Sequence, residues 1–256
     1  MAGPASAPGA PLFQVENLYQ VVRDPGASAP RTVFAQASFA LAAGEHVAIL
    51  GPRGAGKTQL TRALALIEKP ASGRVVLDGQ DVTRAWGGRL RGLRRSLQYI
   101  GGDARRSLSP RLDIAHILAE PLQVHRLGSS VEQAALVEAA AEAWELNRLL
   151  LGQQPHALSN ALCQRVVLAR ANLLQPRLLV VDELTERLEP AAVRPLLALI
   201  ARLCRAAGRA WLWTTTDAAL ADAFSDRVLA LQDGKLKERE KEREKEIKEN
   251  SSTRGR

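Results

Sequence analysis

Gly51-Pro52-Arg53-Gly54-Ala55-Gly56-Lys57-Thr58 joins three glycines to a lysine and a hydroxyl at the spacing that phosphate chemistry needs. Glycines let the backbone turn so that successive N–H groups converge on phosphate oxygens. A helix opening here points the positive end of its dipole at the same charge. Lys57 reaches the β- and γ-phosphates of a nucleotide, and the Thr58 hydroxyl ligates magnesium. The context fits as well, because the apolar run His46–Leu50 precedes the motif and a helix-spaced segment comes after it. All eight residues are therefore phosphate-binding candidates.

A second constellation lies downstream. Leu178-Leu179-Val180-Val181-Asp182-Glu183 reads as a buried strand ending in two acids, and α/β sheets bind ligands at such strand ends. Asp182 is the candidate magnesium ligand, together with Thr58. Glu183 is the candidate catalytic residue, able to polarise an attacking water. On its own the pair would be a solvated strand end. Downstream of a phosphate loop it completes a nucleotide site.

The elements that must position these groups alternate along the chain. Residues 13–22 and 32–41 alternate well enough for N-terminal antiparallel strands, with a loop at 24–30 between them. The spacing then predicts a strand ending at Gly51, a helix over 54–67, a strand at 74–79 and a basic helix leading to a strand at 96–100. Residues 103–160 read as an inserted helical subdomain, with 131–151 as its clearest helix. A helix over 164–174 stopped by Pro176, the acidic strand, a helix over 191–208 with Gly208 as its C-terminal cap, and strands at 210–216 and 227–236 complete the pattern. Strands alternating with helices predict an α/β fold with a mostly parallel sheet. Residues 1–12 read as a flexible Ala/Pro/Gly arm, 13–236 as the folded domain, and 237–256 as a charged low-complexity tail with no apolar stripe to dock it.

Composition narrows the partners. The net charge is +8 with only 4% aromatic residues, and neither zinc-finger spacing nor an aromatic RNA-binding motif is present, so no direct nucleic-acid role is expected. The local basic cluster Arg89, Arg91, Arg94 and Arg95 reads as a solvated face on a protein near a membrane. No uncharged apolar run reaches the roughly 18 residues that span a bilayer, so a membrane role must come through a partner. Cys163 and Cys204 suit neither a zinc site nor a disulfide framework and read as reduced thiols.

Over residues 13–236 the chain resembles the ATP-binding cassette family. The resemblance is carried by GEHVAILGPRGAGKT, PASGRVVLDGQDV, LSNALCQRVVLARA and LLVVDE, in that order. The segment SLSPRLDIAHILAEPL is similar to the subgroup serving dipeptide, oligopeptide and nickel importers. The resemblance implies a phosphate-loop NTPase core, ATP and Mg2+ as ligands, and transmembrane permease subunits docked on part of 103–120. It further implies a second cassette, identical or different, facing this one, and a place on the cytoplasmic side of a membrane. In such a pair Ser159 would contact the γ-phosphate held by the opposing phosphate loop.

Several positions depart from the family pattern. The signature Leu-Ser-Gly-Gly-Gln is here Leu158-Ser159-Asn160-Ala161-Leu162, and the added side chains are expected to hold a phosphate off, at about 1.5–3 kcal/mol for a lost charge-assisted hydrogen bond. The usual coupling glutamine falls at Gly102, and Gln98 is a poor substitute. The usual γ-phosphate histidine falls at Thr216, a change worth on the order of a hundredfold in rate. Leu184-Thr185-Glu186-Arg187-Leu188-Glu189 replaces Pro-Thr-Ser-Ala-Leu-Asp, and the adenine-stacking aromatic falls at Val22, with Tyr19 on the opposite strand face. Groups that bind phosphate, metal and water are intact, whereas groups that sense, seal and couple are altered. Slow or partner-dependent hydrolysis is the expected consequence of that split.

Overall fold

Alternation of apolar and polar residues builds the first two strands, β1 (Phe13–Val22) and β2 (Arg31–Leu41). A continuous apolar run makes the buried β3 (His46–Leu50), which leads through the glycine-rich turn into α1 (Lys57–Leu64). Next come β4 (Ser72–Leu77), the short β5 (Gln80–Asp81), the arginine-rich α2 (Gly87–Ser96) and β6 (Leu97–Ile100). The helical stretch comprises α3 (Ala104–Ser107), α4 (Ile114–Val124), α5 (Ser130–Ala143) and α6 (Asn160–Asn172). The remaining described elements are β7 (Leu178–Val181), α7 (Pro190–Ala206), β8 (Ala210–Thr215), α8 (Ala218–Phe224), β9 (Arg227–Gln232) and β10 (Lys235–Arg239). The computed structural model describes residues 10–23, 26 and 29–240.

These elements form two compact units, one holding the described residues up to Ala85 and from Ala210 onward, the other Trp86–Arg209. In the first unit, β3 runs parallel to both β8 and β9, and β10 closes that edge antiparallel to β9. A separate antiparallel sheet has the order β2-β1-β4-β5. Val47, Ala48, Ile49, Trp211, Leu212 and Trp213 are fully buried, as parallel strands covered on both faces require. In the second unit β6 and β7 pair in parallel, with Leu97 opposite Leu178 and Ile100 opposite Val181. Residues 103–160 lie within this unit, where α3, α4 and α5 are joined by turns.

Several boundaries differ from the sequence reading, among them α1 at Lys57–Leu64 and β4 at Ser72–Leu77, and four have a local reason. Leu12, placed in the arm by composition, is buried, and its carbonyl accepts from the Asp78 N–H. Residues 237–239, placed in the tail, extend β10 by pairing with 228–230 of β9; the rest of the tail from residue 241 and the arm up to residue 9 lie outside the described residues. The helix expected over 131–151 stops at Ala143. There the Leu146 N–H donates to the Ala141 carbonyl and the Glu145 N–H to that of Glu142, closing a Schellman turn with Glu145 in the left-handed region at φ 54°. Buried Trp144 and Leu146 draw the chain inward at that point. The helix expected from residue 164 begins one turn earlier, at Asn160, because Ser159 caps it. Gly208 does terminate α7, as expected, at φ 61°.

Both cysteines are free and buried, and loss of solvation pushes the Cys204 thiol up to about 12, which keeps it protonated and unreactive. The start of α5 is fastened by a reciprocal capping box between Ser129 and Glu132. Ser129→Ala should lower the stability of the chain by about 1 kcal/mol, read as a fall in the chemical-denaturation midpoint. An unchanged midpoint would contradict the cap's role.

Candidate functional site

The phosphate loop belongs to the first unit and is shaped by two left-handed glycines. Gly54 has φ 78° and Gly56 φ 97°, conformations that a side chain rarely adopts. Space enforces glycine independently, since a Cβ at Gly56 would lie 2.4 Å from Cγ1 of Val33, and one at Gly51 2.5 Å from the Leu231 carbonyl oxygen. The Gly51 N–H donates to the Thr215 carbonyl at 3.2 Å, and the Ala55 N–H to that of Pro52 at 3.2 Å, so the turn is held at both ends.

The helix that continues from this turn differs from five others in the chain, although α2 and α7 also start without a side-chain cap or a first-turn acid. Helices α3, α4, α5, α6 and α8 each receive a side-chain cap, from Asp103, Asp113, Ser129, Ser159 and Asp217 respectively. Helix α1 begins at Gly56 with no side-chain cap and no acid in its first turn. Its leading N–H groups have no intrahelical carbonyl to donate to, and the positive end of its dipole meets no negative side chain. Lys57 is only 2% exposed, and its Nζ donates to the carbonyls of Gly51 and Pro52, each at 3.0 Å. Thr58, in the same first turn, is half-buried. The arrangement concentrates fixed positive potential on one concave backbone turn.

Thr216 comes directly after β8, and the pairing of Leu50 with Thr215 places the ends of β3 and β8 side by side. The position expected to face the γ-phosphate therefore adjoins the loop, with an exposed threonine there. Val22 pairs with Arg31 at the far end of β1, and the Tyr19 hydroxyl lies 3.1 Å from Oγ1 of Thr32.

The acidic pair belongs to the second unit. Asp182 is 3% exposed; its N–H donates to the Ile100 carbonyl at 2.8 Å, and the Tyr99 hydroxyl donates to its Oδ2 at 3.3 Å. Glu183 sits in the left-handed region at φ 51°, a strained conformation for a non-glycine residue next to a buried carboxylate. A magnesium ion bound mainly by phosphate and water needs few protein oxygens, and the Thr58 hydroxyl and the Asp182 carboxylate are of the right chemistry.

Three segments altered at the sequence level meet in this unit. Gly102 stands where a Cβ would lie 2.8 Å from the Glu183 carbonyl oxygen, so the backbone after Asp182 packs directly on it. Gln164 Nε2 donates to the Gly102 carbonyl at 3.0 Å. Asn160 Nδ2 donates to the Arg187 carbonyl at 3.3 Å, and the Arg187 guanidinium pairs with Asp103 at 3.2 Å. Arg105 donates to the carbonyls of Pro155 at 3.0 Å and Leu158 at 2.6 Å. The Ser159 hydroxyl accepts from the Leu162 N–H at 3.3 Å and so serves as its own helix's cap. Gln98, on β6, is occupied by donating to the Arg94 carbonyl. Motif spacing found Ser159 and Gly102 but missed Asp103, Arg105, Gln164 and Arg187, because only the folded chain brings them together.

Comparison with known proteins agrees with this geometry. A family model described as ABC transporter matches residues 34–186. A putative peptide import ATP-binding protein of Brucella ovis is 32% identical over 211 residues, 82% of this chain and 67% of that protein. The nickel import ATP-binding protein NikE of Escherichia coli is 32% identical over 209 residues, 81% of this chain and 78% of that protein. A dimeric ATP-binding cassette in a post-hydrolysis state bound to ADP and Pi superposes with TM-score 0.80 at 23% identity, covering 89% of this chain and 98% of that one. The cbiO1 protein of Clostridium perfringens, part of an ABC transporter complex, gives TM-score 0.80 at 22% identity, covering 93% and 92%. The fold is that of an ATP-binding cassette, an α/β phosphate-loop NTPase. By its family match and its relatives, the chain belongs to the ABC transporter family as an ABC-type ATPase subunit.

The packing at Gly102 yields a direct test. Gly102→Gln, which restores the family's usual residue, must displace the Glu183 backbone and should cost about 1–3 kcal/mol in chemical denaturation. A variant as stable as the parent would show that the contact is not restrictive.

Proposed function

We propose that this chain energises a membrane importer of peptides, nickel or a related small solute, working beside permease subunits on the cytoplasmic face of a membrane. The observation that carries this reading is the uncapped start of α1, with its buried Lys57, behind a turn in which Gly51 and Gly56 leave no room for a Cβ. The similarity to peptide and nickel import proteins supports the cargo class.

In this reading residues 51–58 hold the triphosphate. The turn's N–H groups and Lys57 take its β- and γ-oxygens, so Lys57 exchanges two carbonyl partners for phosphate. Thr58 and Asp182 would hold magnesium, which would supply positive charge against that developing on the phosphates. Glu183 orients and deprotonates the attacking water. A second cassette, a copy of this chain or a different one, closes over the nucleotide, and Ser159 serves the nucleotide of that partner.

Hydrolysis is slow or partner-dependent. Thr216 adjoins the loop with a hydroxyl that cannot carry the charge of an imidazole. Asn160 and Ala161 place side chains where glycines would let backbone approach phosphate. A second reading, a non-hydrolysing ATP-binding or regulatory subunit of a heteromeric transporter, is favoured by the bonds that join Asn160, Arg187 and Asp103. These tie together segments that a motor must move.

One substitution separates the two. In the assembled transporter, Glu183→Gln should lower ATP turnover by at least about a hundredfold under the first reading, since it removes a general base. Under the second reading, transport is unchanged. Turnover by the isolated chain that survives the change would contradict the role of Glu183.

A further inference from the structure

Helix α2 has no buried residue, and nothing in the nucleotide chemistry uses it. Arg91, Arg94 and Arg95 stand at i, i+3 and i+4 and so share one face, with Leu90 and Leu93 half-buried on another. Among the described residues none of these three guanidinium groups meets a carboxylate. Like charges at this spacing repel, so the helix is weakened by its own face.

Glycine compounds that weakness. Gly88 and Gly92 lie on the same side as Arg91 and Arg95, by the same spacing, and a Cβ at either would meet nothing within 4 Å. Glycine inside a helix is unfavourable relative to alanine, and internal packing gives no reason for it here. At the N-cap, Trp86 is 80% exposed. The face is therefore cationic, smooth and flanked by an uncovered indole.

We infer that α2 with Trp86 is a docking surface for the anionic phospholipid headgroups of a membrane. Three chemical features fit that occupant. Guanidinium groups bind phosphate oxygens in bidentate fashion. An indole with one apolar and one polar side sits at headgroup depth. Missing side chains at Gly88 and Gly92 let a flat layer of phosphates come close to the helix backbone. Acidic lipid also relieves the repulsion among Arg91, Arg94 and Arg95. The inference stands apart from nucleotide binding, because α2 contributes no group to the phosphate loop or to the acidic pair.

The test uses the full chain with vesicles of phosphatidylcholine, with and without phosphatidylglycerol, followed by co-sedimentation and tryptophan emission. Trp144, Trp211 and Trp213 are at most 2% exposed, so an emission shift on binding reports Trp86. Phosphatidylglycerol vesicles should bind the chain, shift its emission to the blue and release it at high salt. Each arginine is worth about a fivefold change at an anionic surface, so the triple change of Arg91, Arg94 and Arg95 to Ala should weaken binding on the order of a hundredfold. Changing the same three to Lys keeps the charge and loses only the bidentate contacts, so it should keep most of the binding. A control that removes three exposed cations elsewhere, Lys69→Ala, Arg111→Ala and Arg126→Ala, should change it little. Equal loss in the control, undiminished binding in the alanine triple, or equal binding to phosphatidylcholine alone would overturn the inference. So would tighter capture by duplex DNA or polyglutamate through the same arginines. Magnesium-ATP titration of each variant keeps the readings apart: lost nucleotide affinity with retained vesicle binding would count against the nucleotide site alone.

Discussion

An unsatisfied helix start is an electrostatic demand, and α1 makes that demand without an internal answer. Helices α3, α4, α5, α6 and α8 meet their leading N–H groups with aspartate or serine. Helix α1 begins on a glycine with no acid in its first turn and, unlike the likewise uncapped α2 and α7, follows a glycine-rich turn that holds a buried lysine. The turn before it cannot relax toward a capped form. Gly56 lies in the left-handed region, where a Cβ would meet Val33, and a Cβ at Gly51 would meet the Leu231 carbonyl. Strand β3 fixes the turn in space through parallel pairing with β8 and β9. Core packing in the first unit thus keeps open a cationic turn that phosphate can fill, and the chemistry of the remaining groups has meaning only around that charge.

The second unit shows the opposite tendency, in which polar groups are closed on one another. Asn160, Arg187, Asp103 and Arg105 form a chain of hydrogen bonds and ion pairs across the segments whose sequence departs from the motifs it resembles. Their guanidinium groups are partly exposed, so each link is modest, in the range of about 0–1 kcal/mol for a surface pair. Collectively they restrain the segment after Glu183. Gly102 contributes by absence, since it lets the Glu183 carbonyl pack where a side chain would otherwise stand. The departures from family pattern are therefore mutually adjusted and do not read as scattered losses.

Much of this was legible in the residues, and what escaped has physical causes. The phosphate loop could be read because each of its residue types answers a local need of backbone geometry, and the buried acidic strand because four apolar residues precede two carboxylates. Gly208 announced the end of α7 since glycine is the ordinary left-handed cap. Glu145 plays the same part after α5, yet glutamate carries no such signal, and the force that turns the chain there comes from burial of Trp144 and Leu146. Residues 237–239 looked like solvated tail because edge strands need only backbone pairing on one side. The network around Arg187 was invisible for a further reason: its members lie far apart in sequence and meet only after folding.

The energising role proposed for this chain depends on residues 51–58 binding a nucleoside triphosphate with magnesium. Calorimetric titration of the full chain with magnesium-ATP, repeated on Lys57→Ala, addresses that binding most directly. Saturable, magnesium-dependent binding that weakens by about tenfold to a hundredfold in the variant is the predicted result, the equivalent of one charge-assisted hydrogen-bond set. Absence of binding in the parent chain, or equal affinity in both proteins, would contradict the account.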